Sequence, residues 1–195
     1  MATLPSSFKS PKGEAEYMAA YEDRMRLCPI PYESMDVRGR YGRTHLVASG
    51  PKDALLLALL HGALASLTMW AANIADLSRD YRVYAVDIIG EPNKSIPTQP
   101  RQTREDCVAW LSELLDALNI ESTDMVRISY GGWLTLNYAI DVPERLNKIA
   151  LLTPPGSFVS LAKQFFVRLM LMRYLRSCLL VGSESTRKDR PGLGW

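Results

Sequence analysis

A serine between an apolar run and two glycines is the feature that most constrains how this chain can fold. The run 125–128 leads directly into Ser129, and Gly131 and Gly132 precede a helical pattern that starts at Trp133. A strand that turns sharply into a helix holds the serine hydroxyl clear of the sheet, and the first amides of the helix can meet negative charge. The sequence therefore predicts strand, turn and helix with a hydroxyl at the apex. An ordinary strand-to-helix turn has the same local pattern, so the rest of the chain must decide between the two.

Strand and helix patterns alternate on both sides of this turn. The predicted order is a helix, a hairpin and then alternating strands and helices: Glu14–Leu27, Ser34–Val37, Thr44–Ala48, Ala54–Leu60, Leu67–Leu77, Arg82–Asp87, Thr103–Leu118, Met125–Ile128, Trp133–Ile140 and Leu146–Leu152. Such alternation predicts an α/β fold with a mostly parallel sheet and helices on both faces. Functional loops then lie at the carboxyl ends of the strands. The turns at His61 and Asp87 and the serine at 129 all fall at such ends.

Changes in patterning divide the chain into four predicted segments. These are an N-terminal helical extension (1–33), a core (34–157), a lid-like helical segment (158–181) and a polar tail (182–195). The third segment is apolar with scattered basic residues. A helix lying on a membrane surface would gather its basic residues on one face, and these do not gather, so a lid is the favoured interpretation.

Composition excludes several classes of function. A net charge of +2 over 195 residues gives no case for nucleic-acid binding. The three cysteines are far apart and odd in number, which favours free thiols in a reducing, cytoplasmic location over disulfides or a metal cluster. No apolar run approaches the ~18 residues that a membrane span needs, and the N-terminus has no apolar segment typical of a secretory signal. We expect no metal and no cofactor.

Several motifs resemble those of the α/β-hydrolase superfamily, in particular bacterial carboxylesterases of the naproxen-esterase type. They lie within residues 30–158: His61-Gly62-Ala63-Leu64, Met69-Trp70, Asn73-Ile74-Ala75, Tyr84–Gly90, Asn93-Lys94-Ser95 and Ser129-Tyr130-Gly131-Gly132. The resemblance implies an α/β-hydrolase fold, a small-molecule ester as substrate, and Ser129 as the catalytic nucleophile. It also implies that the amides of Ala63 and Tyr130 form the oxyanion hole.

The same resemblance gives supporting roles to the surrounding residues. His61, Gly62 and Gly131 would shape the two motifs. Asp87 would be structural, satisfied by loop amides, rather than the acid of a catalytic triad. His45, inside a strand, is expected to be structural as well.

The chain departs from the family pattern in two ways. Arg127 stands where the family's nucleophile elbow, the strand-to-helix turn G-x-S-x-G around the serine, has its first glycine. We expect this arginine to distort the turn or to need a buried partner. The family orders its triad as serine, acid and histidine. Both histidines of this chain, His45 and His61, precede Ser129.

These departures predict a fold truncated after about the sixth strand, and an esterase impaired because the triad acid and histidine are missing. The alternative is a catalytically inactive hydrolase-like protein that binds a small ligand or a partner. A sheet that ends at Leu146–Leu152 would have an open edge, so self-association through that edge is also expected.

Overall fold

The computed structural model describes residues 8–152, whose strands form one seven-stranded sheet. The strands are β1 (Glu33–Gly39), β2 (Gly42–Ser49), β3 (Leu55–Leu60), β4 (Tyr81–Val86), β5 (Ile96–Pro97), β6 (Thr123–Ile128) and β7 (Leu146–Leu152). The helices are α1 (Pro11–Arg26), α2 (Ile74–Leu77), α3 (Arg104–Ala117) and α4 (Tyr130–Asp141), with 3₁₀ turns at Leu67–Trp70 and Pro143–Arg145.

The central strands of the sheet are parallel. Their order is β1-β2-β4-β3-β6-β7, and β5 pairs with β2. β3 runs parallel to both β4 and β6, and β6 runs parallel to β7, whereas β2 is antiparallel to its neighbours. The carboxyl ends of β3, β4 and β6 therefore share one edge of the sheet, as the sequence predicts.

Helices cover both faces of the sheet, each over its own apolar cluster. On one face, α3 and α4 bury a set of large side chains against the strands: Trp110, Leu111, Leu134, Tyr138, Leu46, Leu60 and Met125. On the other, α1 and the 3₁₀ turn after β3 bury a second set: Tyr21, Met25, Leu67, Trp70, Leu59 and Val83. Burial of both sheet faces explains why β3 and β4 are almost continuously apolar.

The two helices α1 and α3 are each capped at the N-terminus by a side chain. The Ser10 side chain accepts a hydrogen bond from the Gly13 amide, with Pro11 in the first turn of α1. Thr103 and Asp106 form a reciprocal capping box at the start of α3. Each such cap contributes about 1 kcal/mol to the stability of its helix.

Two parts of the secondary structure differ from the sequence prediction. The single helix expected over Leu67–Leu77 is interrupted: the 3₁₀ turn ends at Trp70 and α2 begins only at Ile74. The amide of Asn73 bonds the Trp70 carbonyl at 2.7 Å, a tighter i→i−3 bond that breaks the α-helical ladder.

The stretch between the predicted strand Arg82–Asp87 and the predicted helix Thr103–Leu118, where no element was predicted, also contains a short strand. β5 pairs with Gly42 and Arg43 of β2. Gly42 has φ +131°, and a Cβ at this position would lie 2.2 Å from the Ile96 carbonyl oxygen. Only glycine allows this close approach, so the glycine of the hairpin fixes where β5 packs.

β7 is the last strand of the sheet in the region that the structure describes. Most of its residues are exposed, including Ile149 at 38% and Leu152 at 45%. The expected segments 158–181 and 182–195 lie outside the described residues.

Candidate active site

Ser129 joins β6 to α4 in a strained backbone conformation. Its φ is 50° and its ψ is −116°, a region that non-glycine residues rarely occupy and that costs about 1–3 kcal/mol. The Ser129 amide donates to the Leu152 carbonyl of β7 at 3.0 Å, and the Ser129 carbonyl accepts from Gly132 and Trp133 in α4. Strand and helix together hold the strained residue in place. Its hydroxyl, which is half-buried, donates to no other described residue.

The turn after β3 packs directly against this serine. A Cβ added at Gly131 would lie 2.8 Å from the His61 carbonyl oxygen and 2.9 Å from Leu60. A Cβ added at Gly62 would lie 3.4 Å from the Ser129 Cβ. Two motifs nearly seventy residues apart in the chain are thus in contact, and Gly131 is required for that contact.

Two backbone amides beside Ser129 have no partner within residues 8–152. They belong to Ala63, which is exposed after Gly62, and to Tyr130, the first residue of α4. Amides in this arrangement can donate to an oxygen that becomes negatively charged during acyl transfer.

His61 is buried and both of its ring nitrogens are engaged. Its Nε2 accepts from the Ile88 amide at 2.9 Å, so the proton is on Nδ1, which donates to the Gly62 carbonyl at 2.7 Å. Burial lowers the pKa of His61 below its ordinary value and keeps the ring neutral. In this geometry neither nitrogen is free to take a proton from Ser129.

His45 lies away from the serine. It is on β2, which β4 and β3 separate from β6, a spacing of roughly 14 Å across the sheet. Its Nδ1 is 2.9 Å from an Asp36 carboxylate oxygen on β1. The structure therefore brings neither histidine of the chain to Ser129 as a base.

Asp87 is fully buried at the end of β4. Its carboxylate accepts from the Leu67 amide at 2.7 Å, from the Lys94 amide at 3.2 Å and from the Tyr21 hydroxyl at 2.8 Å. Burial raises the pKa of Asp87 above its ordinary value, and these donors oppose that rise. The expectation that loop amides satisfy this side chain is confirmed.

Arg127 differs from both alternatives that the sequence suggested. It is completely buried on β6, paired in register with Leu60 and Leu151, and none of its guanidinium nitrogens has a hydrogen-bond partner in the described region. Burial lowers the pKa of Arg127 to about 9. The expected distortion is absent, since Ser129 keeps its strained geometry, and residues 8–152 do not supply the expected buried partner. A close contact at this turn is instead made at Gly131, where an added Cβ would lie 2.8 Å from the His61 carbonyl oxygen.

Two residues that the sequence analysis missed hold the loops at this edge. The Glu91 carboxylate accepts from the Leu64 amide at 2.6 Å, and Tyr21 reaches Asp87 from α1. For Glu91 the sequence offers a usable signal, because this residue directly follows the turn Asp87–Gly90. No local signal marks the second, because the bonded residues are 66 positions apart.

The described residues contain no group of three His, Cys, Asp or Glu side chains that could hold a metal ion. Across the same region, no helix has both the length and the apolar character needed to cross a membrane.

Comparison with known families decides how this arrangement is classified. A family model described as the alpha/beta hydrolase fold matches residues 56–176. The chain belongs to this family. The resemblance drawn from the motifs and the predicted fold class are both confirmed.

Relatives within the family include two proteins of Bacillus subtilis strain 168. The uncharacterized carboxylesterase nap is 45% identical over 150 residues, which cover 77% of this chain and 50% of the relative. Carboxylesterase YbfK is 40% identical over 153 residues, covering 78% of this chain and 52% of the relative. This chain spans about half the length of the curated relatives that it matches.

Solved structures agree with this assignment. The crystal structure of the Bacillus subtilis naproxen esterase (carboxylesterase NP) matches with a TM-score of 0.79 at 43% identity, over 84% of this chain and 57% of that one. Carboxylesterase CesB of the same organism matches with a TM-score of 0.76 at 40% identity, over 78% and 54%. The aligned part is therefore a carboxylesterase-like α/β-hydrolase half.

Proposed function

We propose that this chain carries the nucleophile and the oxyanion hole of a serine carboxylesterase acting on a small ester. The observation that carries the proposal is the strained Ser129, set between β6 and α4 beside two amides that have no partner among the described residues. The similarity to Bacillus carboxylesterases supports the ester as the class of substrate.

In the proposed reaction, the Ser129 hydroxyl oxygen attacks the ester carbonyl carbon and forms a tetrahedral intermediate. The carbonyl oxygen becomes negative and accepts from the amides of Ala63 and Tyr130. The alcohol leaves as the carbonyl re-forms, which gives an acyl-serine, and water then releases the acid. Each half of the reaction needs a group that accepts and returns a proton.

That proton acceptor is the component that the described residues do not provide. A serine hydroxyl is a weak nucleophile without a base. His61 and His45 are committed to other bonds, and Asp87 is enclosed by donors. We propose that the chain by itself hydrolyses esters feebly, with the oxyanion hole leaving a rate enhancement on the order of 10³ over the uncatalysed reaction in water.

A second candidate is a catalytically inactive hydrolase-like protein that binds a ligand or a partner. The absence of a free base beside Ser129 among residues 8–152 favours it. The exposed apolar residues of β7, Ile149 and Leu152, support self-association through that edge of the sheet.

The free thiols of Cys28 and Cys107 support a reducing, cytoplasmic location.

Hydrolysis of p-nitrophenyl butyrate by the purified chain and by its Ser129→Ala variant separates the two candidates. A slow rate that disappears in the variant supports the esterase. Equal rates, together with saturable binding of the intact ester, support the binding protein. A turnover of many per second that depends on Ser129 would contradict the statement that no base is available.

A further inference from the structure

We propose that Glu91 is a positioning residue for the oxyanion hole: its carboxylate fixes the Leu64 amide and thereby the orientation of the neighbouring Ala63 N–H. The role in catalysis rests on the proposed function, whereas the role in holding the turn is tested independently of it.

The turn after β3 is fastened to the loop after β4 at three points. At its start, His61 Nε2 accepts from the Ile88 amide at 2.9 Å. At its end, the Leu67 amide donates to Asp87 at 2.7 Å. Both of these contacts are buried. The third lies between them, where the Leu64 amide donates to Glu91 at 2.6 Å on the exposed side.

The middle contact holds Leu64, a residue that no other contact within residues 8–152 restrains. Leu64 has φ 58°, a left-handed conformation that is strained for a leucine. Its side chain is 70% exposed, so packing against the core does not enforce this conformation. Among the described contacts of Leu64, the hydrogen bond from its amide to Glu91 is the one that can.

The geometry of consecutive peptide planes carries the effect to Ala63. The Gly62 carbonyl accepts from His61 Nδ1 at 2.7 Å, and because the peptide is trans, the Ala63 N–H in the same plane points the opposite way. Glu91 holds the next plane, between Ala63 and Leu64. The first plane, held by His61, directs the Ala63 N–H away from the ring, and the second plane, held by Glu91, limits rotation of the turn about Ala63. Loss of the Glu91 contact frees the second plane and, with it, the turn around Ala63.

The hydrogen bond from the Leu64 amide needs an acceptor oxygen on residue 91, not a negative charge. A carboxylate close to a developing oxyanion opposes that charge, so an acceptor without charge should serve as well or better. Glutamine keeps an acceptor oxygen and removes the charge, whereas alanine removes both. The pair Glu91→Gln and Glu91→Ala therefore separates hydrogen bonding from electrostatics.

Amide hydrogen exchange measured by NMR on the full chain tests the positioning directly. In Glu91→Ala we expect the Leu64 amide to exchange about tenfold faster than in the parent, since the loss of one hydrogen bond changes the opening equilibrium by roughly that factor. In Glu91→Gln we expect exchange within about threefold of the parent, because glutamine keeps an acceptor oxygen. The Leu67 amide, held by Asp87, should be unchanged and is the internal control. Unchanged exchange at Leu64 in the alanine variant, equal acceleration at Leu64 and Leu67, or a glutamine variant that behaves like alanine would each overturn the proposal.

Kinetics then test whether the positioning serves catalysis. In Ser129-dependent hydrolysis, Glu91→Ala should lower kcat about tenfold or more at nearly constant KM, and Glu91→Gln should restore it. An unchanged kcat despite faster Leu64 exchange overturns the catalytic part. Hydrolysis that does not depend on Ser129 refutes the proposed function instead, and the exchange result still decides whether Glu91 holds the turn.

Discussion

Replacing the buried Arg127 by methionine should stabilise the protein. Methionine fills most of the same volume and carries no charge, so the substitution removes the guanidinium without opening a large cavity. No hydrogen bond is lost within the described region, because none of the three guanidinium nitrogens makes one there.

The expected gain in stability of Arg127→Met follows from the free-energy cost of burying the charge. A fall in the pKa of Arg127 from the ordinary value of arginine to about 9 corresponds to roughly 5 kcal/mol, at about 1.4 kcal/mol per tenfold change in the protonation equilibrium. Relaxation around the group and the loss of its own packing reduce the net gain to roughly 2–4 kcal/mol, the upper part of the range of about 1–4 kcal/mol found when buried charged groups are replaced by apolar ones. At about 2–4 °C for each kcal/mol, the thermal midpoint should rise by roughly 4–16 °C.

The pH dependence of the stability difference between Arg127→Met and the parent tests whether the buried charge is its cause. The folded-state pKa of Arg127 lies below the unfolded one, so the unfolded chain binds more protons than the folded chain at pH values above about 9. The penalty is therefore complete below about pH 9 and decreases as the pH rises through that value. The advantage of Arg127→Met over the parent should narrow above pH 9.

Thermal and urea unfolding followed by circular dichroism at pH 7 and pH 10 measure both effects. Arg82→Met is the matched control, since Arg82 is also buried on a strand but bonds the Gly50 carbonyl at 3.0 Å and pairs with Glu33. That control should lose stability. A lower midpoint in Arg127→Met, or equal losses in both variants, would refute the assignment of an unpaired buried charge. Arg127→Gly should gain less than methionine, because it leaves a cavity and a flexible residue in the strand.

Three further predictions concern the loops and the sheet edge. Tyr21→Phe removes a donor from the buried Asp87 carboxylate and should lower the free energy of unfolding by about 1–3 kcal/mol in urea titrations; an unchanged value would mean that water replaces the hydroxyl. Gly131→Ala should abolish cooperative unfolding in a calorimetric scan, because its Cβ would meet the His61 carbonyl oxygen at 2.8 Å, and an intact transition would show that the two turns can separate at little cost. Ile149→Lys should reduce concentration-dependent association in light scattering, whereas association that is equal in parent and variant would place the contact elsewhere.

The architecture was predictable wherever a local pattern carries it. Alternation of apolar runs and helical spacing predicted a parallel sheet covered on both faces, and Thr103 marked the start of a helix because a cap acts within one turn. The elbow was readable at Ser129 because strand, glycines and helix follow one another directly in the chain.

Features that depend on contacts between distant residues were not predictable in this way. The bond between Tyr21 and Asp87 joins an N-terminal helix to a loop 66 positions later. The break after Trp70 depends on a local 3₁₀ bond that apolar spacing does not encode. Arg127 was flagged as costly, but whether a buried partner existed depended on which side chains the folded core places around it.

The most direct test of Ser129 as the nucleophile uses a chimera with a full-length relative. Residues 1–152 of this chain would be joined to the remaining half of the Bacillus subtilis carboxylesterase nap, which is 45% identical over the aligned region. In a chimera that unfolds cooperatively, we expect hydrolysis of p-nitrophenyl butyrate to fall by about a thousand-fold or more on Ser129→Ala, with the thermal midpoint preserved. Equal activity in the folded chimera and its Ser129→Ala variant would contradict the assignment of Ser129 as the catalytic nucleophile.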